Sequence, residues 1–137
     1  MLIDSHCHLN YLDDPDGAIE RARQSGVSSC LCISVDEQGY AGVIGLASTH
    51  DDVWATAGVH PDAADGNLHW IEGALSHDRV VAVGETGLDY FHASEQAVQA
   101  RQREAFAYQL DLAVKNTLPV IVPVSYTHLR AHETRIH

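Results

Sequence analysis

Short apolar runs alternate along the chain with longer stretches whose apolar residues recur every three or four positions. Leu2 and Ile3 open a strand that runs into Asp4, Ser5, His6, Cys7 and His8. Asp14 before Pro15 has the form of an N-cap followed by proline at the first helical position. Ala18, Ile19 and Ala22 give that helix its buried stripe, and Gly26 stops it. Residues 27–34 form a second strand, with Leu31, Ile33 and the following Val35 on one face and Cys30 and Cys32 on the other. Asp36 caps a helix in which Tyr40, Val43, Ile44 and Ala47 fall at i, i+3, i+4 and i+7. Gly39, Gly42 and Gly45 weaken it intrinsically, and their spacing predicts a close approach to a neighbouring element. Residues 53–59 make a third strand ending at His60 and Pro61, and Leu68, Ile71 and Leu75 mark a third helix. Residues 79–84 are a nearly continuous apolar strand that ends at Glu85. Ser94 caps the longest helix, over about 95–115, with a stripe of Val98, Phe106, Leu110 and Val114 and with Ala105 and Ala113 beside it. Asn116 and Pro119 end it, and residues 118–122 form the fifth strand.

The order is therefore βαβαβαβαβ, five strands and four helices. Strands this apolar are covered on both faces, which calls for a parallel sheet with helices packed outside it. Right-handed crossovers leave an α/β fold of one of two kinds, an open doubly wound sheet or a (β/α)8 barrel.

Composition narrows the classes. A chain of 137 residues that is 45% hydrophobic and 20% charged is an ordinary globular mix, which excludes collagen, coiled coil and disordered acidic tail. No apolar run reaches the ~18 residues of a membrane span, and the N-terminus lacks a basic region and a long apolar core, so neither a membrane partner nor a secretory leader is expected. Three cysteines, an odd number, fit reduced thiols and a cytoplasmic location. Cys30 and Cys32 lie in an apolar strand without a second pair, so they read as packing. The net charge of −11 argues against a general electrostatic grip on nucleic acid but leaves room for a local site where cations supply the positive charge. No obligate protein partner is evident.

The end of the chain breaks the pattern. Residues 1–124 carry six Lys and Arg against eighteen Asp and Glu, net −12, whereas 125–137 carry two against one, net +1. The string SYTHLRAHET in this segment resembles translated sequencing-adapter sequence. Residues 1–122 are therefore taken as one barrel-forming unit and 123–137 as a non-native tail, a natural basic tail being the other reading. His128 and His132 lie in that tail at i, i+4 spacing, without the glutamate of a metalloprotease helix, and are set aside.

Three strand ends carry candidate chemistry. His6 and His8 are i, i+2 on a strand, so their imidazoles share a face while Cys7 points the other way. Two neutral imidazoles converging there suit a divalent cation, and two satisfied histidines are the alternative. Asp4 shares that face and could orient an imidazole. Glu85 follows a buried strand within GETGLDY and is the natural chelating carboxylate, while Asp89 is either a further functional carboxylate or the N-cap of a short turn. His60 closes the third strand, as a substrate contact or as a polar strand-end residue. His50, His69, His77 and His92 read as surface residues. All three sites fall at C-terminal strand ends, which a parallel barrel gathers on one rim.

DSHCHL at 4–9, AGVHPD at 57–62, VVAVGETGLDYF at 80–91 and QREAFAYQLDLAVKNTLPVIV at 102–122 resemble, in this order, the TatD-type metal-dependent deoxyribonucleases. The resemblance implies a partial TIM-like barrel and divalent-metal hydrolysis of DNA phosphodiesters, often from the 3′ end. It implies His6 and His8 as ligands of a first metal, Glu85 as the catalytic carboxylate shared between two cations (Mg, Mn or Zn), and His60 near the substrate phosphate. It also implies a histidine directly after the fifth strand, where this chain has Pro123, Val124 and Ser125. A complete barrel needs about 250 residues, so the expectation for this chain is little or no activity. Another hydrolase of the same superfamily acting on small esters or amides, and a non-catalytic module, are the alternatives.

Overall fold

The computed structural model of the chain describes residues 1–123, so the expectations for the tail, apart from Pro123, lie outside the described residues. The strands are β1 (Leu2–Cys7), β2 (Val27–Cys32), β3 (Val53–Ala57), β4 (Val80–Gly84) and β5 (Val120–Ile121). The helices are α1 (Pro15–Gln24), α2 (Glu37–Thr49), α3 (Trp70–Ala74) and α4 (Gln96–Asn116), and short 3-10 turns follow β1 at Leu9–Tyr11 and β3 at Pro61–Ala63.

All neighbouring strands pair in parallel, and their spatial order is β1-β2-β3-β4-β5. This order decides between the two expected architectures. A doubly wound sheet reverses direction beside its first strand. Here β1 is an edge and each later strand adds on the same side, as in the wall of a barrel. The core lies between the outer face of this wall and the helices: Cys30, Cys32, Val53, Ala55 and Val80 pack with Ile19 of α1, Val43 of α2, Ile71 of α3 and Leu112 of α4. The opposite face is the barrel interior, where Ile3, Leu31, Trp54 and Val81 line an apolar concavity of about 360 Å³. The guanidinium of Arg79 lies 3.7 Å from the centre of the Trp54 ring. Cys30 and Cys32 are buried packing residues, and all three cysteines are free thiols.

Several boundaries differ from expectation, each for a local reason. β2 stops at Cys32 because the Ser34 N–H donates to the Thr56 hydroxyl, a side chain, in place of a strand neighbour. β3 stops at Ala57 because both backbone groups of Val59 are taken by the Gln109 amide. β1 ends at Cys7, and His8 opens the 3-10 turn. Gly39 and Gly42 of α2 approach Asn10 closely, as their spacing predicts, but nothing lies near Gly45. Glu95, rather than Ser94, occupies the N-cap of α4, and the helix ends at Thr117 in the left-handed conformation with φ 54°.

The largest correction concerns the buried face of α4. Leu110 is 39% exposed and Val114 78% exposed, whereas Gln102, Ala105, Gln109, Leu112 and Ala113 face inward. The apolar stripe misplaces this face because two of its inward positions are held by hydrogen-bonded amides.

Candidate metal centre

β1 and β4 deliver His6, His8 and Glu85 to the same end of the sheet. One donor atom from each lies within 4.8 Å of the others, and this is the one such group of three among the described residues. A cation with bonds of about 2.1 Å spans donors up to about 4.2 Å apart. Small rotations therefore bring the three atoms onto one ion, and the His6 side chain, 34% exposed, has room to make them.

The protonation pattern suits a cation. His8 Nδ1 lies 3.2 Å from the Ile33 carbonyl oxygen, which only accepts, so the ring donates there and Nε2 keeps its lone pair. Tyr11 stacks on the same ring with centroids 5.7 Å apart and holds its plane. The Tyr11 phenol is pushed up by partial burial and then by the negative charges of Asp36, Asp62 and Glu85, so it stays protonated. His6 Nε2 lies 3.2 Å from Glu85 Oε1, and its ring meets His8 edge-on with centroids 5.2 Å apart. A lone pair facing a carboxylate is repulsive, so either a proton or a cation belongs between these atoms. Glu85 is 7% exposed. A buried carboxylate beside two imidazoles is a donor set that a divalent ion fits.

Buried polar groups hold Glu85 in place, and the sequence reading missed them. The Glu85 N–H donates to the Ser34 carbonyl at 2.7 Å. The Thr56 hydroxyl donates to the Gly84 carbonyl at 2.6 Å and accepts from the Ser34 N–H at 3.0 Å, while the Ser34 hydroxyl donates to the Thr56 carbonyl at 2.7 Å. Gly84, with φ 147°, is pressed so tightly that a Cβ there would lie 2.6 Å from the Ile121 carbonyl oxygen. A polar residue inside the apolar run VWATA was the available signal for Thr56.

The other candidates separate. Asp4 Oδ1 accepts from the His6 backbone N–H at 3.2 Å, so it braces the chain at His6 and not an imidazole. His60 stands at the exit of β3, its N–H donating to the Val35 carbonyl and its Nδ1 2.8 Å from Asp62 Oδ1, outside the three-residue cluster. Asp89 caps a turn, accepting from the His92 backbone N–H at 3.2 Å and meeting the His92 ring at 2.7 Å. Burial pushes the Asp89 carboxyl up, but the two His92 hydrogen bonds together outweigh it and hold the group below the ordinary value of 3.8. His50 is no free surface residue: its ring bridges Asp16 and Arg23. Cys7 faces the core side, as expected, and its thiol donates to the Leu31 carbonyl. After β5 stands Pro123, which offers no side-chain donor.

Comparison with known proteins follows the same lines. The chain is 33% identical over 129 residues to the uncharacterized metal-dependent hydrolase YabD of Bacillus subtilis, covering 89% of this chain and 50% of the relative. It is 36% identical over 125 residues to the 3′-5′ ssDNA/RNA exonuclease TatD of Pectobacterium carotovorum, covering 85% and 46%. The crystal structure of YjjV, a TatD homologue from Escherichia coli, superposes with a TM-score of 0.79 at 31% identity, covering 98% of this chain and 55% of that one. The chain thus spans about half the length of the curated relatives it matches. The family model for TatD related DNase matches residues 3–134, and the chain belongs to that family.

Proposed function

We propose that this chain carries the metal-binding rim of a phosphodiester hydrolase acting on DNA. The observation that carries the reading is the convergence of His6, His8 and a buried Glu85 at one end of a parallel sheet. A relative named as a 3′-5′ ssDNA/RNA exonuclease supports the choice of substrate. In this reading His6 and His8 would hold a first divalent cation and Glu85 would serve both it and a second, the ions being magnesium, manganese or zinc. Bound there, such cations polarise a phosphoryl oxygen and lower the pKa of water.

The chain's own residues do the rest. The Ile33 carbonyl accepts from His8 Nδ1, which selects the neutral tautomer whose Nε2 lone pair faces outward to a cation. Glu85 supplies negative charge from a buried position, where it attracts cations more strongly than at the surface. His60, whose Nδ1 accepts from the Asp62 backbone N–H at 3.2 Å, stands at the neighbouring strand end to meet the substrate phosphate.

Calorimetric titration with Mn²⁺ tests the site. The expected result is binding through the rim, weakened about tenfold or more by Glu85→Gln or His8→Ala. Absence of binding to the unmodified chain, or equal affinity in the variants, overturns the assignment. A panel of a 3′-labelled single-stranded oligonucleotide, a nucleotide monoester and a carboxylic ester separates DNA hydrolysis from other superfamily chemistries.

A further inference from the structure

Helix α4 buries two primary amides seven residues apart on one face, Gln102 at 2% exposure and Gln109 at 0%. Each grips the backbone of one rim loop at both polar groups. Gln109 Oε1 accepts from the Val59 N–H at 2.8 Å, and its Nε2 donates to the Val59 carbonyl at 3.2 Å. Gln102 Oε1 accepts from the Asp89 N–H at 2.8 Å, and its Nε2 donates to the Asp89 carbonyl at 3.4 Å. Val59 directly precedes His60, and Asp89 lies four residues after Glu85 in the segment that leaves β4.

Both loops have left the sheet, so Val59 and Asp89 have no strand beside them to satisfy their peptides. Each glutamine acts as the missing neighbour, pairing donor to acceptor and acceptor to donor as a strand would. Simple packing does not require this chemistry. The rest of the buried face is Ala105, Leu112 and Ala113, and an apolar side chain in either place would avoid desolvating an amide. What the amide adds is a fixed height and orientation for the loop backbone.

We infer that Gln102 and Gln109 are positioning residues, one for each half of the rim: Gln102 sets the turn carrying Glu85, and Gln109 sets the loop carrying His60. This rests on the metal-site reading above. It goes beyond that reading in assigning α4 the role of a template that holds two loops independently.

The test is a crossed pattern. Gln102→Met and Gln109→Met keep side-chain length and remove both hydrogen bonds to the loop, Gln109→Met also removing the Nε2 donation to the Ala105 carbonyl within α4. Gln102→Met is expected to weaken Mn²⁺ binding about tenfold while leaving the His60 ring resonances in place. Gln109→Met is expected to move or broaden the His60 resonances while leaving Mn²⁺ affinity within about twofold. Equal effects of both variants on both readouts, or a loss of thermal stability with neither readout changed, overturn the proposal. Hydrogen exchange on the unmodified chain covers the case in which a variant does not fold. The Val59 and Asp89 amides should exchange as slowly as that of Val83 within β4, and fast exchange at either removes that latch. If the unmodified chain binds no Mn²⁺, the metal reading fails, and exchange together with the His60 resonances still decides whether the latches exist.

Discussion

Thr56→Val separates a hydrogen-bonding role from a packing role at a fully buried polar position beneath the rim. Thr56 is 0% exposed, and its hydroxyl donates to the Gly84 carbonyl at 2.6 Å while accepting from the Ser34 N–H at 3.0 Å. Valine has nearly the same shape, so no cavity opens. What changes is that a buried carbonyl and a buried N–H lose their partner at once. Each such orphaned group costs about 1–3 kcal/mol, offset by roughly 0.8 kcal/mol for the added buried methyl. The net loss is about 3 kcal/mol, near a hundredfold in the folding constant and a large part of the roughly 5–15 kcal/mol that holds a typical domain. Thr56→Ser is the control, because it keeps the oxygen and loses one methyl, at a cost of about 1 kcal/mol. Urea unfolding followed by tryptophan fluorescence gives both values. Because Gly84 directly precedes Glu85, Mn²⁺ affinity should fall with Thr56→Val and hold with Thr56→Ser. A valine variant no less stable than the serine variant would refute the reasoning.

Two further perturbations probe the ends of the site's scaffold. Thr117→Gly should raise stability by about 0.5–1 kcal/mol, since a β-branched residue sits at φ 54° where glycine carries no steric penalty; a lower urea midpoint would show that the threonine side chain contributes more than its backbone strain takes away. The Asp89 carboxyl is held below its ordinary value of 3.8, so its contribution to stability is complete above that value and disappears as pH falls through the lower, folded-state value. Asp89→Asn should therefore flatten the loss of stability below about pH 4 seen by urea unfolding, and an unchanged acid slope would remove Asp89 as its source.

The three proposed ligands and the residues that aim them leave unequal traces in the sequence. His6 and His8 are visible as an i, i+2 pair on a strand and Glu85 as the carboxylate that ends an apolar run, and a parallel wall puts all such strand ends on one rim. The barrel-like winding was not decidable from periodicity, since a doubly wound sheet has the same alternation of elements; only the edge position of β1 decides it. Ser34, Thr56, Gln102 and Gln109 escaped notice for another reason. Their partners are peptide groups, which every residue carries, so the pairing leaves no mark on residue type at the other end of the bond.

That asymmetry also explains why the apolar stripe of α4 does not mark its buried face. Counting apolar positions places Leu110 and Val114 inside and both glutamines outside, although a desolvated amide with both groups paired is as much an interior residue as leucine. The exit loops of β3 and β4 create this demand at Val59 and Asp89, whose peptides pair with the two glutamine amides. The strand ends that make a reactive rim possible thus require polar side chains on the helix behind them. In a barrel wall of this kind, a buried glutamine opposite a strand end marks a loop whose position matters.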